Sequence, residues 1–352
     1  MKILVTGGAG FVGSHMALSL KQTFGVCEVL ALDNLKRRGS ELNLPQLHEA
    51  DILFVHGDVR NPADLQLSGI DWIIECSAEP SVLAGRGGDT DYLVHTNLLG
   101  TYNCLELARR CRAGMIFIST SRVYPVSPIS QLPFKEDNTR FVLEPGFSAK
   151  GVTSAGISEE FSLDGARTLY GTTKLASELL VQEYGETFSL PMVVNRCGVL
   201  TGPWQMGKID QGVIVLWLAR HFFGGELKYI GYKGSGKQVR DLLNVADLAD
   251  LVILQMMNID QHRGQTYNVG GGTENSVSLV ELTKMCQELT NRKIPVNTEP
   301  MNREGDLPWF VTDTSKIRGA SGWKPKRSVK RTLQEILKWL RENQEILQSI
   351  LN

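Results

Sequence analysis

This chain of 352 residues predicts an α/β fold, a doubly wound parallel sheet with a smaller, interleaved C-terminal part. Three observations carry that expectation. Apolar, strand-like runs alternate with helix-like stretches through the first half. A glycine loop, Thr6-Gly7-Gly8-Ala9-Gly10-Phe11-Val12-Gly13, follows the first run directly. Asp33 closes the second run, 20 residues after Gly13.

Strands are expected at 2–5, 29–32, 52–56, 72–76 and 115–119, with helices such as 13–23 and 96–111 between them. That spacing gives parallel strands joined by crossovers, with helices on both faces. Residues 125–165 interrupt the pattern with Pro125, Pro128, Pro133, Pro145 and several glycines. Two readings are open for this loop: a flap over a site, or a surface insertion. A helix at 169–188 and a strand at 191–196 follow. Further on come strands at 239–244 and 266–269, with a helix at 245–257 between them. A last helix is expected at 329–348, where Leu333, Ile336, Leu337 and Leu340 share a face.

Hydrophobic residues make up 42% and charged residues 21%, which supports a large core and argues against disorder. A formal net charge of -1 and only short basic runs point away from nucleic acid. Six cysteines without a Cys-x-x-Cys pair argue against a metal site or a disulfide framework. Reduced thiols fit a cytoplasmic enzyme. With a glycine loop starting at residue 7, no secretory leader is expected. The apolar run 212–219 is too short to span a bilayer, so no membrane role is expected.

In the glycine loop, Gly7 permits a tight turn, Gly10 lets backbone amides approach a pyrophosphate, and Gly13 lets the helix pack close to the sheet. The helix start then offers N–H groups and partial positive charge. Asp33 is placed to accept from ribose hydroxyls and to repel a 2′-phosphate, which favours NAD over NADP. Lys36, Arg37 and Arg38 pull weakly the other way. Asp58 and Val59 follow the third strand, where an adenine can be held; a turn aspartate is the plainer reading of Asp58. Asn97 opens a helix, where capping is the alternative.

Tyr170-Gly-Thr-Thr-Lys174 supplies the chemistry. A Tyr and a Lys four residues apart lie on one helix face. A phenol normally titrates near 10, and neighbouring positive charge brings it toward a useful range. Tyr170 is then able to take a proton from a sugar hydroxyl as the carbon beneath gives up hydride. Thr120, at the end of a buried strand, is the candidate partner for the same oxygen. Each of these residues alone has an ordinary reading as a surface pair or a turn residue. Their order after the glycine loop is what points to catalysis.

These motifs resemble the extended branch of the short-chain dehydrogenase/reductase family, over nearly the whole chain. Within it the likeness is to the CDP-paratose (CDP-tyvelose) 2-epimerases, carried by Asp33-Asn34-Leu35, 54–61, Ile209-Asp210-Gln211-Gly212, 236–241, Asn268-Val-Gly-Gly271 and 275–279. The resemblance implies a Rossmann-type fold with NAD as cofactor and a nucleotide-diphosphate sugar as substrate. The dinucleotide-binding domain is expected at 1–196 and 239–272, and the nucleotide-sugar domain at 197–238 and 273–352. Implied cofactor contacts are Gly7, Gly10, Phe11, Val12, Gly13, Asp33, Asn34, Asp58, Val59, Ala78, Asn97, Tyr170 and Lys174. Implied catalytic residues are Thr120, Tyr170 and Lys174. Arg240 and Arg303 resemble diphosphate-binding arginines, for which a guanidinium fork is suited; a surface salt bridge is the other reading of Arg303. Gln211 and Asp306 are weaker candidates for sugar or nucleotide contacts.

The chain departs from its relatives at Cys76-Ser77-Ala78-Glu79, where many carry His-x-Ala-Gly or His-x-Ala-Ala, and in a longer interval between Thr120 and Tyr170. Ser121-Arg122 stands where related 4,6-dehydratases carry an Asp-Glu pair, so loss of water is disfavoured. The resulting expectation is epimerisation through a transient keto sugar, at C2 first and C4 next. A net NAD(P)-dependent oxidoreductase and a non-catalytic dinucleotide sensor are the rivals. A homodimer pairing the 96–111 and 169–188 helices is also expected.

Overall fold

The computed structural model describes residues 1–208 and 211–351. The chain divides into two compact units whose segments alternate along the sequence. The first comprises Met1–Val123, Leu169–Cys197 and Val245–Tyr267; the second comprises Tyr124–Thr168, Gly198–Asn244 and Asn268–Asn352.

The first unit is built on a seven-stranded sheet in the order Gln265–Val269, Met192–Cys197, Gly114–Thr120, Trp72–Glu75, Lys2–Thr6, Glu28–Asp33, Leu53–His56. Each neighbouring pair from Met192–Cys197 to Leu53–His56 runs parallel. Gly114–Thr120 and Met192–Cys197 are buried at every position, which is why their apolar residues, Met115–Ile118 and Met192–Val194, run consecutively and do not alternate. Leu4, Leu30, Leu32, Leu105, Phe117 and Val181 belong to one buried cluster. The strand order reverses between Lys2–Thr6 and Trp72–Glu75, so a crevice opens at their C-terminal ends, where ligands bind in such sheets.

The second unit centres on Val239–Asn244, which pairs with Val199–Thr201, Ser276–Ser278 and Trp309–Phe310. The sequence-level boundary grouped 239–244 with the first unit; here that strand has its own sheet. The apolar run noted at 212–219 becomes the helix Val213–Phe223, which packs with Leu279–Thr290 and Val329–Glu342. Its apolarity reflects burial on nearly all sides. No helix among the described residues is long and apolar enough to cross a membrane.

Three local expectations are corrected. The helix expected from 96 begins at Asp91–Val94 and continues through a π-helical turn, His95–Leu99, into Gly100–Cys111. Asn97 therefore lies inside a helix, not at its start. The last helix is broken at Asn343 (φ -122°, ψ 27°), giving Val329–Glu342 and Gln344–Leu351. The Asn343 amide donates to the Trp339 carbonyl at 3.0 Å, a side-chain bond that competes with the helix ladder. Finally, 125–165 is not a structureless loop. It contains a short helix, Val126–Ser130, and two hairpins, Phe134–Glu136 with Phe141–Leu143 and Val152–Thr153 with Gly156–Ile157. Arg140 pins the first hairpin to the Glu281 carboxylate and to Ser276, and the Ile157 N–H bonds the Val311 carbonyl.

Candidate active site

The glycine loop sits at the strand-order reversal. Gly7 turns with φ +63°, a conformation that glycine adopts at little cost. A Cβ on Gly13 would lie 2.0 Å from the Gly7 carbonyl oxygen, so only glycine allows the helix this close. At Gly10 a built Cβ would lie 3.1 Å from Gly7 O, closer than ordinary contact, and 4.0 Å from Asp33 Oδ2, so a side chain there would crowd the turn. The Phe11–Phe24 helix starts at Gly10 without a side-chain cap and without an acidic residue in its first turn. Its first N–H groups, at Phe11, Val12 and Gly13, thus form an anion-seeking terminus.

Asp33 closes this glycine loop. Its Oδ2 accepts from the Ala9 N–H at 3.1 Å and its Oδ1 from the Leu35 N–H at 2.8 Å. Burial raises its pKa, and these backbone donors pull it back. The carboxylate therefore also braces the glycine loop, a task that spacing alone did not reveal. Asn34 donates to Asp58 Oδ2 at 2.9 Å, and Arg60 grips the same carboxylate through Nε and Nη2. Burial pushes Asp58 up, but Arg60 and Asn34 outweigh it and hold the group at about 2. Lys36 lies 3.5 Å from the centroid of the Tyr92 ring, and Arg60 lies 4.7 Å from it. Val59 is buried in the core cluster, and Ala78 lies in the segment after Trp72–Glu75.

Asn97 is fully buried. Its amide accepts from the Glu79 N–H at 2.8 Å and donates to the Glu79 carbonyl at 3.1 Å and Thr173 Oγ1 at 3.2 Å. Ser177 Oγ donates to its carbonyl at 2.8 Å. In this arrangement Asn97 ties the 79 segment to the Leu169–Phe188 helix.

That helix buries an unusual face: Tyr170, Thr173, Lys174, Ser177, Glu178 and Val181 recur at helical spacing and are mostly polar. Against it lie residues of neighbouring strands that share one face because they are in register. Thr6 aligns with Glu75, Glu75 with Phe117, and Ser119 with Arg196. The result is a buried polar layer. Arg196 forks onto Glu178, Nε at 3.0 Å and Nη2 at 2.8 Å from Oε2, and Ser119 Oγ donates to Glu178 Oε1 at 2.5 Å. Lys174 Nζ lies 3.7 Å from Glu75 Oε2 and 3.8 Å from the centroid of the Phe117 ring.

Thr120, one residue beyond Ser119, hydrogen-bonds the Tyr170 phenol and accepts from the Arg122 N–H at 3.2 Å. Burial pushes the phenol up to about 12, while the Thr120 hydroxyl and the Arg122 charge pull it down. Burial lowers the pKa of Lys174, and Glu75 opposes that shift. Burial raises Glu75 to about 7, against the pull of Lys174 and the Ser77 N–H. The sequence placed the Lys174 charge beside Tyr170; in the structure its nearest counter-charge is Glu75.

The structure thus brings Thr120, Tyr170 and Lys174 together in the first unit, with the glycine loop, Asp33 and Asn97 in the same unit. Among the substrate candidates in the second unit, Arg240 Nη2 donates to Asp306 Oδ1 and to the Leu307 carbonyl, both at 2.8 Å. The Asp306 N–H bonds the Arg303 carbonyl at 3.1 Å. Gln211 exchanges backbone bonds with Lys208, while Ile209 and Asp210 of the same run lie outside the described residues. Sequence reading passed over Glu75, Glu178 and Arg196. The signal was there: a carboxylate ending the apolar run Trp72–Glu75, an arginine inside a buried strand, and a glutamate four residues after Lys174.

An α/β sheet with a dinucleotide cradle and a Tyr-Lys helix defines a class of nicotinamide-dependent enzyme. The description "NAD dependent epimerase/dehydratase family" matches residues 3–270, and the chain belongs to that family. It is 32% identical over 352 residues to a CDP-paratose 2-epimerase of Salmonella typhi, across 96% of this chain and 99% of that protein. A dTDP-glucose 4,6-dehydratase of Streptomyces niveus is 29% identical over 351 residues, across 97% and 94%. The fold is similar to that of the Thermus thermophilus UDP-glucose 4-epimerase in complex with NAD, with a TM-score of 0.75 and 26% identity over 97% of this chain and 99% of that one. NAD is the cofactor of this family, and the uncapped helix start, the side-chain-free turn at Gly7 and Gly10 and the Asp33 carboxylate fit it.

Proposed function

We propose that the protein is an epimerase of nucleotide-diphosphate sugars, acting on a CDP-sugar at C2. The observation that carries epimerisation over dehydration is the turn after Thr120. It holds Ser121-Arg122, and Arg122 sets a positive charge toward Tyr170 where elimination of water needs an acid. The 32% identity to a CDP-paratose 2-epimerase over 96% of this chain supports the nucleotide and the position.

In this reading the Thr120 hydroxyl orients the reacting sugar oxygen, and Tyr170 Oη takes its proton and later returns it. NAD, when bound, supplies a hydride acceptor, a hydride donor and a positive charge. Lys174 holds the cofactor ribose. Gly7, Gly10, Phe11, Val12 and Gly13 hold the pyrophosphate, Asp33 and Asn34 the adenosine ribose, and Asp58 and Val59 the adenine. Ala78 lines the same site, and Asn97 positions the Glu79 segment. Arg240, steadied by Asp306, binds the diphosphate, with Arg303 and Gln211 as further contacts. The first unit carries the dinucleotide and the second the nucleotide sugar.

The test is to incubate the purified protein with CDP-, UDP-, GDP- and dTDP-sugars and to follow each by NMR. Inversion at C2 of a CDP-sugar is the expected result. Inversion at C4, or a net change of oxidation state, would replace this assignment.

We also propose that two copies pair through the Gly100–Cys111 and Leu169–Phe188 helices. Leu99, Tyr102, Leu179 and Phe188 expose large apolar surface there, which water disfavours. Light scattering is expected to give the mass of two chains; the mass of one chain counts against the pairing.

A further inference from the structure

We propose that Glu75 is a positioning residue: it holds the Lys174 ammonium by charge, and through Lys174 it sets how tightly NAD is bound. The proposal rests on the cofactor role assigned to Lys174 above.

Glu75 ends the Trp72–Glu75 strand with no exposed surface, and neither carboxylate oxygen has a partner at hydrogen-bond geometry among the described residues; the Ser77 N–H and the Lys174 ammonium pull on it only from outside that geometry. Native proteins seldom leave a buried carboxylate in that state, because its desolvation is then uncompensated. The contrast is one step along the same buried layer. Glu178 is fully engaged there, by the Arg196 fork and by Ser119. The partner of Glu75, by contrast, is a lysine at 3.7 Å. At that length the pair attracts strongly in a low-dielectric interior but is too long for a hydrogen bond. The three ammonium donors of Lys174 are therefore not consumed by Glu75. The Phe117 ring, 3.8 Å from Nζ, adds a further attraction that uses no donor. Lys174 is thus anchored from the two strands flanking it, Trp72–Glu75 and Gly114–Thr120, and keeps its hydrogens for a ligand.

This register also explains why the carboxylate sits here. Glu75 aligns with Thr6, the last residue of the first strand before the glycine loop. A charge fixed at that point connects the dinucleotide cradle to the Tyr170 helix through one side-chain pair. A neutral amide in place of the Glu75 carboxylate would keep the volume and lose the hold on Lys174.

The test is a double-mutant cycle in NAD affinity, by calorimetric titration of intact protein freed of bound dinucleotide. Glu75→Gln, Lys174→Met and the double variant are compared with the unaltered chain. Glu75→Gln is expected to weaken NAD roughly tenfold, and to weaken it no further when made in the Lys174→Met protein. Equal losses in both backgrounds overturn the proposal, as does no loss in a folded Glu75→Gln protein. Unchanged affinity in Lys174→Met overturns the cofactor role of Lys174, and that of Glu75 with it. A loss there without coupling overturns Glu75 alone. Should Glu75→Gln not fold, Glu75→Asp carries the same cycle, since it keeps the charge but withdraws it by one methylene. A smaller loss that vanishes in the Lys174→Met background supports the proposal, and an additive loss overturns it.

Discussion

Tyr170→Phe is expected to lower turnover by about 100- to 10,000-fold, with the fold and NAD affinity retained, because it removes the acid/base atom and nothing else. The ring stays, so packing on the buried helix face is unchanged. What goes is the oxygen that bonds Thr120 and exchanges a proton with the substrate. In the cofactor-free protein burial holds this phenol at about 12, well above its usual range, so it does not ionise at neutral pH unaided. Thr120 and Arg122 already bias it toward ionisation, and further positive charge beside the ring completes the shift. Steady-state turnover and thermal unfolding of the variant, measured side by side, check this. Turnover within a few-fold of the unaltered enzyme would remove Tyr170 from the chemistry.

Arg196→Met is expected to cost about 3–5 kcal/mol of stability, the typical penalty for leaving one partner of a buried ion pair uncompensated. Arg196 and Glu178 have side chains 6% and 1% exposed, so water does not screen the orphaned carboxylate. Ser119 supplies one hydrogen bond to it and cannot neutralise it. Adding Glu178→Gln to the Met variant removes the stranded charge, so the double variant is expected to be more stable than Arg196→Met alone. Urea unfolding of the single and double variants reads both effects. A loss below about 1 kcal/mol in the single variant would mean that this pair is solvated in solution and is not a structural brace.

The parts of this protein that sequence reading reached are those with short-range rules. The turn at Gly7 and the helix contact at Gly13 are local steric demands, and Asp33 follows at a distance set by one strand–helix–strand unit. The Tyr170 and Lys174 spacing is one helical turn. The central strands were legible because burial on both faces gives them consecutive apolar residues, as at 115–118 and 192–194. What escaped depends on register between segments far apart in the chain. Glu75, Phe117 and Lys174 meet only because strands 72–75 and 114–120 align and a helix from 169 lies on that face. The placement of Val239–Asn244 in a separate sheet is of the same kind, since its partners lie at 199–201, 276–278 and 309–310. Asn97 was misplaced for a different reason: the π-helical turn His95–Leu99 shifts the apolar periodicity, so the turn starting at Asp91 did not read as continuous with the helix after it. The Pro- and Gly-rich 125–165 segment folds into hairpins held by Arg140 and Ile157, through contacts with residues far along the chain.

The central claim is that a carbon is inverted by removing hydride and returning it, with Tyr170 handling only the hydroxyl proton. Running the CDP-sugar incubation in deuterium oxide tests it most directly. The account predicts an inverted product with no deuterium on carbon and no accumulation of reduced nicotinamide. Deuterium at the inverted carbon would mean that a C–H proton, not a hydride, is exchanged there, and would contradict it.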